Sequence, residues 1–437
     1  MSATRRVVIT GMGLISPLGH TKEALWDSLI QGRSAVTEPS APMPEGATVE
    51  CAAEAREFRG KIDDFGPLEK QQTKQIRKSL KLMCRETQMG VAAAQLALTD
   101  ARFQAGRYDP QRLGVVYGTD YMLSEPDEFL AGIAHCRDGS GRFEFERWGS
   151  EGLGKMSPLW LLNYLPNMPA SHIAIFNDLR GANNSLTMRE AAANLAVWEA
   201  MEVIRRGHVD AMLAGATGTR VHPMKTIHTM QQEELARVNG NPARASRPFD
   251  RDRTGMVPGE GAGAVLLEEA AAAEARGATI YAEVVAGASS QVAGPGRAAD
   301  CRKALANVLA RVLEAADVKP DDLGHIHAHG LATRQADVDE ARAIADVLSD
   351  RAGAVPVTTA KGHFGNLGAG GGVVELIASV TALANDKLFP ILNLETIDPE
   401  CPVAAVADVG RSPGDCFVNL SVTPQAQASA VLIRRYS

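Results

Sequence analysis

Short apolar runs alternate along the chain with longer stretches whose apolar residues recur every three or four positions. Val7–Thr10, Gly114–Tyr117, Ala211–Ala214, Ala262–Leu267, Ile280–Val285, His325–Ala328 and Phe417–Ser421 read as strands. Lys22–Gln31, Lys78–Ala101, Arg189–Arg206, Cys301–Ala315, Asp337–Leu348 and Gly371–Ala384 carry the helical spacing. Strands bounded by turn residues and separated by helices predict an α/β fold, with parallel sheet covered by helices. Glycines cluster at strand ends, as in Gly11/Gly13, Gly259/Gly261/Gly263 and Gly368/Gly370/Gly371/Gly372. Val7 to Gly13 reads as a buried strand ending in a glycine turn, not as the apolar core of a signal peptide.

The Ala/Glu-rich stretch Glu268–Gly277 reads as a helix, and a new strand follows it. It divides the chain into halves at 1–268 and 269–437. The first half then carries insertions at roughly 40–75 and 120–170. No low-complexity linker separates the halves, so they are expected to pack as one body. No uncharged run approaches the roughly 18 residues of a membrane span, so no membrane partner is expected.

Composition narrows the function. Lys and Arg number 45 against 52 Asp and Glu, a formal charge of −7 over 437 residues, which excludes a globally basic nucleic-acid binder. The six cysteines, at 51, 84, 136, 301, 401 and 416, form no Cys-x-x-Cys pair. That is neither a zinc nor a disulfide pattern and fits a reducing cytoplasm. One local charge feature stands against the acidic average. Lys74, Arg77, Lys78, Lys81 and Arg85 are spaced to share one helix face. Such a face is either simply solvated or a dock for an acidic partner.

Several segments, in order, resemble the β-ketoacyl-acyl-carrier-protein synthase (ketosynthase) family. They are Arg6-Val-Val-Ile-Thr-Gly-Met-Gly13 with Ser16-Pro17-Leu18-Gly19, and Pro166 to His172 with Leu179-Arg-Gly181. Arg247-Pro-Phe-Asp250, Gly259-Glu-Gly-Ala-Gly263 and Arg276 to Glu283 follow, then His327-Ala-His-Gly330 and Lys361-Gly-His363. Each segment is weak; the ordered set spans almost the whole chain. The resemblance implies a thiolase-like α/β fold, with duplicated βαβαβαββ halves forming a five-layer αβαβα body. It implies a dimer, no cofactor, and an acyl carrier protein, or the acyl group on its phosphopantetheine arm, as partner. The basic face then becomes the expected carrier dock.

The family's catalytic positions are altered. Its nucleophilic cysteine lies nine residues after the glycine of the Arg-Gly element; nine residues after Gly181 stands Glu190. A carboxylate is a poor thioester acceptor. By itself Glu190 could merely favour the N-terminus of a helix. His329 matches the first family histidine and His363 the second. Of two threonines after the first histidine, one is Leu331 and the other is kept as Thr333. The family lysine lies five residues before the second histidine, where this chain has Thr358; Lys361 is close by but cannot be assumed to substitute. The Gly-Phe-Gly-Gly gate is replaced, with Thr423 at the gating phenylalanine and Pro424-Gln425 at the glycines. Glu190, His329 and His363 are thus the expected catalytic set, with Thr333, Thr423 and Gln425 lining the substrate site.

Four readings follow: a ketosynthase-like protein that no longer condenses but decarboxylates a malonyl thioester; a non-catalytic partner, like a chain-length factor, in a heterodimer with an active ketosynthase instead of a homodimer; an acyl-thioester hydrolase with Glu190 as base; and a Glu190/His329/His363 metal site.

Overall fold

The computed structural model describes residues 5–40 and 49–437, so part of the expected 40–75 insertion lies outside the described residues. Eleven strands form one continuous array among these residues: β1 Val7–Ile15, β2 Leu113–Thr119, β3 Asn183–Thr187, β4 Ala211–Thr219, β5 Glu260–Glu269, β6 Ala282–Gln291, β7 His325–His327, β8 Pro356–Thr358, β9 Ala404–Ala405, β10 Cys416–Val422 and β11 Gln427–Arg434. Their order is β3-β2-β4-β5-β1-β6-β11-β10-β7-β8-β9.

That order contains its own repeat. In the first half β2 lies parallel to both β3 and β4, β4 is antiparallel to β5, and β5 to β1. In the second half β7 lies parallel to both β8 and β10, β10 is antiparallel to β11, and β11 to β6. Five strands are laid out twice in mirror order, joined where β1 meets β6 at Val7–Ile9. Three apolar clusters give the layers. The central one holds helices Ala192–Arg205 and Gly371–Ala384 between the two halves of the array. The outer ones hold Arg85–Asp100 on one side and Cys301–Ala315 with Arg334–Leu348 on the other. This is the thiolase-like five-layer α/β fold.

Two local expectations change. The first strand does not stop at a glycine turn; β1 runs on through Gly11 and Gly13 with a register shift between Ile9 and Gly11. The glycines are there because helix Arg85–Asp100 lies against the strand. A Cβ on Gly11 would sit 2.3 Å from the Ala97 carbonyl oxygen, and one on Gly13 would sit 2.2 Å from that of Ala93. The expected helix Lys78–Ala101 is two helices, Lys70–Ser79 and Arg85–Asp100. Between them a short 3-10 turn ends with Met83 and Cys84 in extended conformation. Lys74, Arg77, Lys78, Lys81 and Arg85 are all exposed, but Arg85 starts the second helix, so the five do not share one helix face. Its guanidinium binds the Glu260 carboxylate at 2.6 and 2.8 Å and the carbonyls of Phe58 and Ala55.

The six thiols are free, and no described helix is long and apolar enough to cross a membrane.

Candidate active site

Parallel strands place loop residues at their carboxyl ends, where α/β folds build sites. Asp120 follows β2, Glu190 follows the edge strand β3, Arg220 follows β4 and His329 follows β7. Asn366 follows the single helical turn Lys361–Phe364. All five side chains are buried.

Glu190 sits in a 3-10 turn, Arg189–Ala191, leading into helix Ala192–Arg205. Its Oε1 accepts from Arg220 Nη2 at 2.5 Å and from Asn366 Nδ2 at 3.2 Å. Arg220 Nη1 donates to Asp120 Oδ2, also at 2.5 Å. The buried unit is therefore Asp120–Arg220–Glu190, with Arg189 Nε a further 3.4 Å from Glu190 Oε2. Burial pushes the Glu190 carboxyl up, but the guanidinium charges of Arg220 and Arg189 outweigh it, and the group is held well below the usual carboxylate range. Glu190 is an anion at neutral pH. Beside Arg220 lies a second buried pair, Glu86 with Lys225.

His329 shares this centre, its Nδ1 without a partner. Burial, with the charge of Lys361, keeps its imidazole neutral. Its loop is shaped by carboxylates. Glu340 accepts from the backbone N–H groups of His329 and Gly330 at 2.6 and 2.7 Å, and Asp337 from that of Ala332 at 3.0 Å. Thr333 is buried nearby, and its carbonyl accepts from Arg253 at 3.1 Å.

The structure does not bring His363 to Glu190. Its Nδ1 is 2.9 Å from the Arg33 carbonyl oxygen and its Nε2 3.4 Å from that of Pro390. Burial lowers its pKa, and the neutral ring has one N–H to give to one of these carbonyls, the Arg33 contact being the shorter. Lys361 instead forms a fully buried ion pair with Glu375. If Lys361 is the family lysine, the five-residue spacing lands on Asn366, the residue that touches Glu190. The expected set Glu190, His329, His363 is not assembled: Asn366, and not His363, is the side chain that meets Glu190. The Lys361-to-second-position spacing could have exposed this in sequence; matching the Gly-His pair hid it. Among the described residues no group of three or more His, Cys, Asp or Glu side chains is disposed to hold a metal, so the Glu190/His329/His363 metal set does not assemble.

At the gate positions, residues 423–426 form the turn between β10 and β11. Thr423 Oγ1 accepts from Gln427 N at 3.3 Å, and Ala426 has φ +57°. Gln425 Oε1 accepts from Arg189 Nη1 at 3.0 Å, and the same nitrogen donates to Gln232 Oε1 at 2.6 Å. Arg189, itself at φ +53°, thus latches this turn over the Glu190 carboxylate. Thr423 is buried and Gln425 exposed in this turn, and Thr333 is buried at the start of helix Arg334–Leu348. Asp120, Arg189 and Arg220 were not legible as site residues, because no motif announces them; Asn366 was reachable only through the Lys361 spacing.

The fold and the site's position at the carboxyl ends of β2, β4 and β7 define a thiolase-like acyl-transfer scaffold. Sequence models of the β-ketoacyl synthase N-terminal and C-terminal domains match residues 4–273 and 281–395. The chain belongs to the β-ketoacyl synthase family. It is 32% identical to 3-oxoacyl-[acyl-carrier-protein] synthase 2 of Synechocystis sp. over 412 residues, covering 93% of this chain and 92% of that one. It is 29% identical to the protein of the same name in Coxiella burnetii over 408 residues, with the same coverage. Among solved structures, a β-ketoacyl synthase from Burkholderia phymatum superposes with a TM-score of 0.82 at 26% identity, covering 99% of this chain and all of that one. The ishigamide ketosynthase/chain length factor superposes at 0.83 with 25% identity over the full length of both.

Proposed function

We propose that this chain is a non-condensing β-ketoacyl synthase homologue that works as the partner subunit of an active ketosynthase on carrier-bound acyl chains. One observation carries the reading: the position where the family keeps its nucleophile holds a buried carboxylate, anionic and clamped by Arg220 and Asn366. Such a group cannot accept an acyl chain as a stable thioester, and its charge opposes an enolate forming beside it. The altered gate turn, latched by Arg189, fits the same loss of turnover. The likeness to a ketosynthase/chain length factor supports a heterodimer, and the names of the curated relatives support a carrier protein. Strand β3 is the outer strand of the array and largely exposed, which leaves one edge free to pair across a dimer. Co-expression with a ketosynthase encoded beside it tests the reading. A stable mixed dimer is expected; a homodimer that ignores that partner would reject it.

A second reading rests on His329, neutral and with a free Nδ1 in the same centre. It could assist decarboxylation of a malonyl thioester. Carbon dioxide release from malonyl-carrier protein no faster in the wild type than in His329→Ala would remove it.

A further inference from the structure

Outside this centre, a cavity of about 470 Å³ opens between the Phe58 region, the start of helix Arg85–Asp100 and the start of helix Pro223–Gln232. Glu54, Glu86, Glu125 and Glu260 line it, with Arg56 and Arg85. The arginines are already engaged. Arg85 binds Glu260 and two carbonyls, as above, and Arg56 binds Glu54 Oε2 at 3.0 Å and the Glu38 carbonyl at 2.7 Å. Glu54 also takes the Ser40 hydroxyl and backbone N–H. The capacity left over is on the acidic side. Glu86 is already neutralised by the buried Lys225, which with the Thr219 N–H donates to its Oε1, whereas Glu125, with its side chain 57% exposed, has among the described residues a histidine near it and no paired cation.

That histidine is His222, whose side chain is 9% exposed and lines the cavity. Its Nδ1 accepts the Met224 N–H at 3.2 Å, as the N-cap of its helix, so the ring proton is on Nε2. Nε2 has no hydrogen-bond partner and stands 3.4 Å from Glu125 Oε1. Burial, with Lys225 nearby, lowers its pKa to about 4, so the ring is a neutral donor at neutral pH. A protonated Nε2 cannot ligate a metal, which argues against a cation held by direct coordination. The site offers one carboxylate without a paired cation, Glu125, and one N–H donor, the complement of an ammonium group carrying an acceptor oxygen a few atoms away.

We propose that this cavity is a second ligand site, separate from the Glu190 centre, that takes a small amine bearing a hydroxyl or carbonyl oxygen. The ammonium is held by Glu125, and the oxygen accepts from His222 Nε2–H. The proposal does not depend on whether the chain is a partner subunit. Isothermal titration of the full chain with 3-aminopropan-1-ol tests it, with 1-propanol, 3-hydroxypropionate and zinc chloride as the uncharged, anionic and metal arms. Glu125→Gln removes charge at an exposed position, and His222→Asn keeps a capping oxygen for the Met224 N–H while its shorter amide cannot place a donor where Nε2–H stood. Saturable binding of the amine, weakened by about tenfold or more in each variant, is expected. No saturable binding, equal binding of 3-hydroxypropionate, zinc binding lost in the same two variants, or an affinity unchanged in Glu125→Gln would overturn it.

Discussion

Arg220 and Glu190 meet at 2.5 Å with their side chains 1% and 4% exposed, and Arg220 reaches Asp120 at the same distance on its other arm. One guanidinium therefore serves two buried carboxylates at the heart of a site whose relatives use a thiol. Three charges withdrawn from water are tolerable only together. Each was removed from solvent at a desolvation cost that mutual attraction offsets when the geometry is good. Glu190 is thus not an isolated replacement for cysteine. It comes with a cation that fixes its ionisation and fills space beside it.

Removing the shared partner should be far worse than removing one end. Arg220→Ala leaves Glu190 and Asp120 buried without their cation and is expected to destabilise the chain by about 3–5 kcal/mol. The double variant Glu190→Ala/Arg220→Ala should recover part of that loss, because one orphaned charge disappears with its partner. Chemical denaturation of both variants measures the coupling. Strict additivity would mean that the two side chains do not act as a pair.

Stability at acid pH should carry the signature of Glu190. Its folded carboxyl lies well below the usual range, so between the two values the unfolded chain binds more protons than the folded one. The stabilisation is fully present above about pH 4.3 and falls away as pH drops below it. Asp337 and Glu340 act in the opposite sense: burial raises them to about 6 and about 7, so their contribution weakens as pH climbs from about 4 toward those values. Comparing Glu190→Gln with wild type isolates the first term. Their urea midpoints should differ most near neutrality and converge as pH falls below about 4. A gap that widens on acidification would contradict an anionic Glu190.

The cores of parallel strands β2 and β4 were legible, as Gly114–Tyr117 and Ala211–Ala214, because residues buried on both faces leave continuous apolar runs. Asn183–Thr187 was not, since a polar edge strand owes its place to pairing with β2 and not to its own side chains. The basic helix face failed for a related reason. Helical spacing runs on unbroken from Lys74 to Arg85, but the chain straightens at Met83 and Cys84, and Arg85 turns to Glu260, 175 positions away. The site register slipped at His363 because a Gly-His pair is a local match. What distinguishes Lys361 is its buried partner Glu375, a tertiary fact. Arg220 and Asp120 were invisible because only the fold brings them together.

Restoring the thiol should restore acyl transfer without restoring condensation. In Glu190→Cys the new side chain stands beside Arg220 at the start of a helix turn, surroundings that favour a thiolate. Intact-mass analysis after incubation with an acyl-carrier thioester should show an adduct on this variant and none on wild type. Carbon–carbon bond formation should stay absent from both, since Asn366, and not a second histidine, meets Glu190 and the gate turn is held by Arg189. A condensed product from wild type would overturn the non-condensing assignment outright.

The basic face proposed as a carrier dock is narrower than its spacing suggested. Lys74, Arg77, Lys78 and Lys81 stay exposed on and just beyond helix Lys70–Ser79, while Arg85 is committed to Glu260. If an acidic carrier protein sits on this face, Lys78→Glu with Lys81→Glu should weaken its binding and flatten the salt dependence, because exposed charge pairs are screened within about 10 Å at 0.1 M salt. Arg85→Glu should behave differently. It faces the buried Glu260 with a like charge, so its main effect should be lost stability, visible without any carrier present. Surface plasmon resonance at two salt concentrations, with melting curves for each variant, separates the two. Unchanged affinity in the double lysine variant would move the dock elsewhere on the surface.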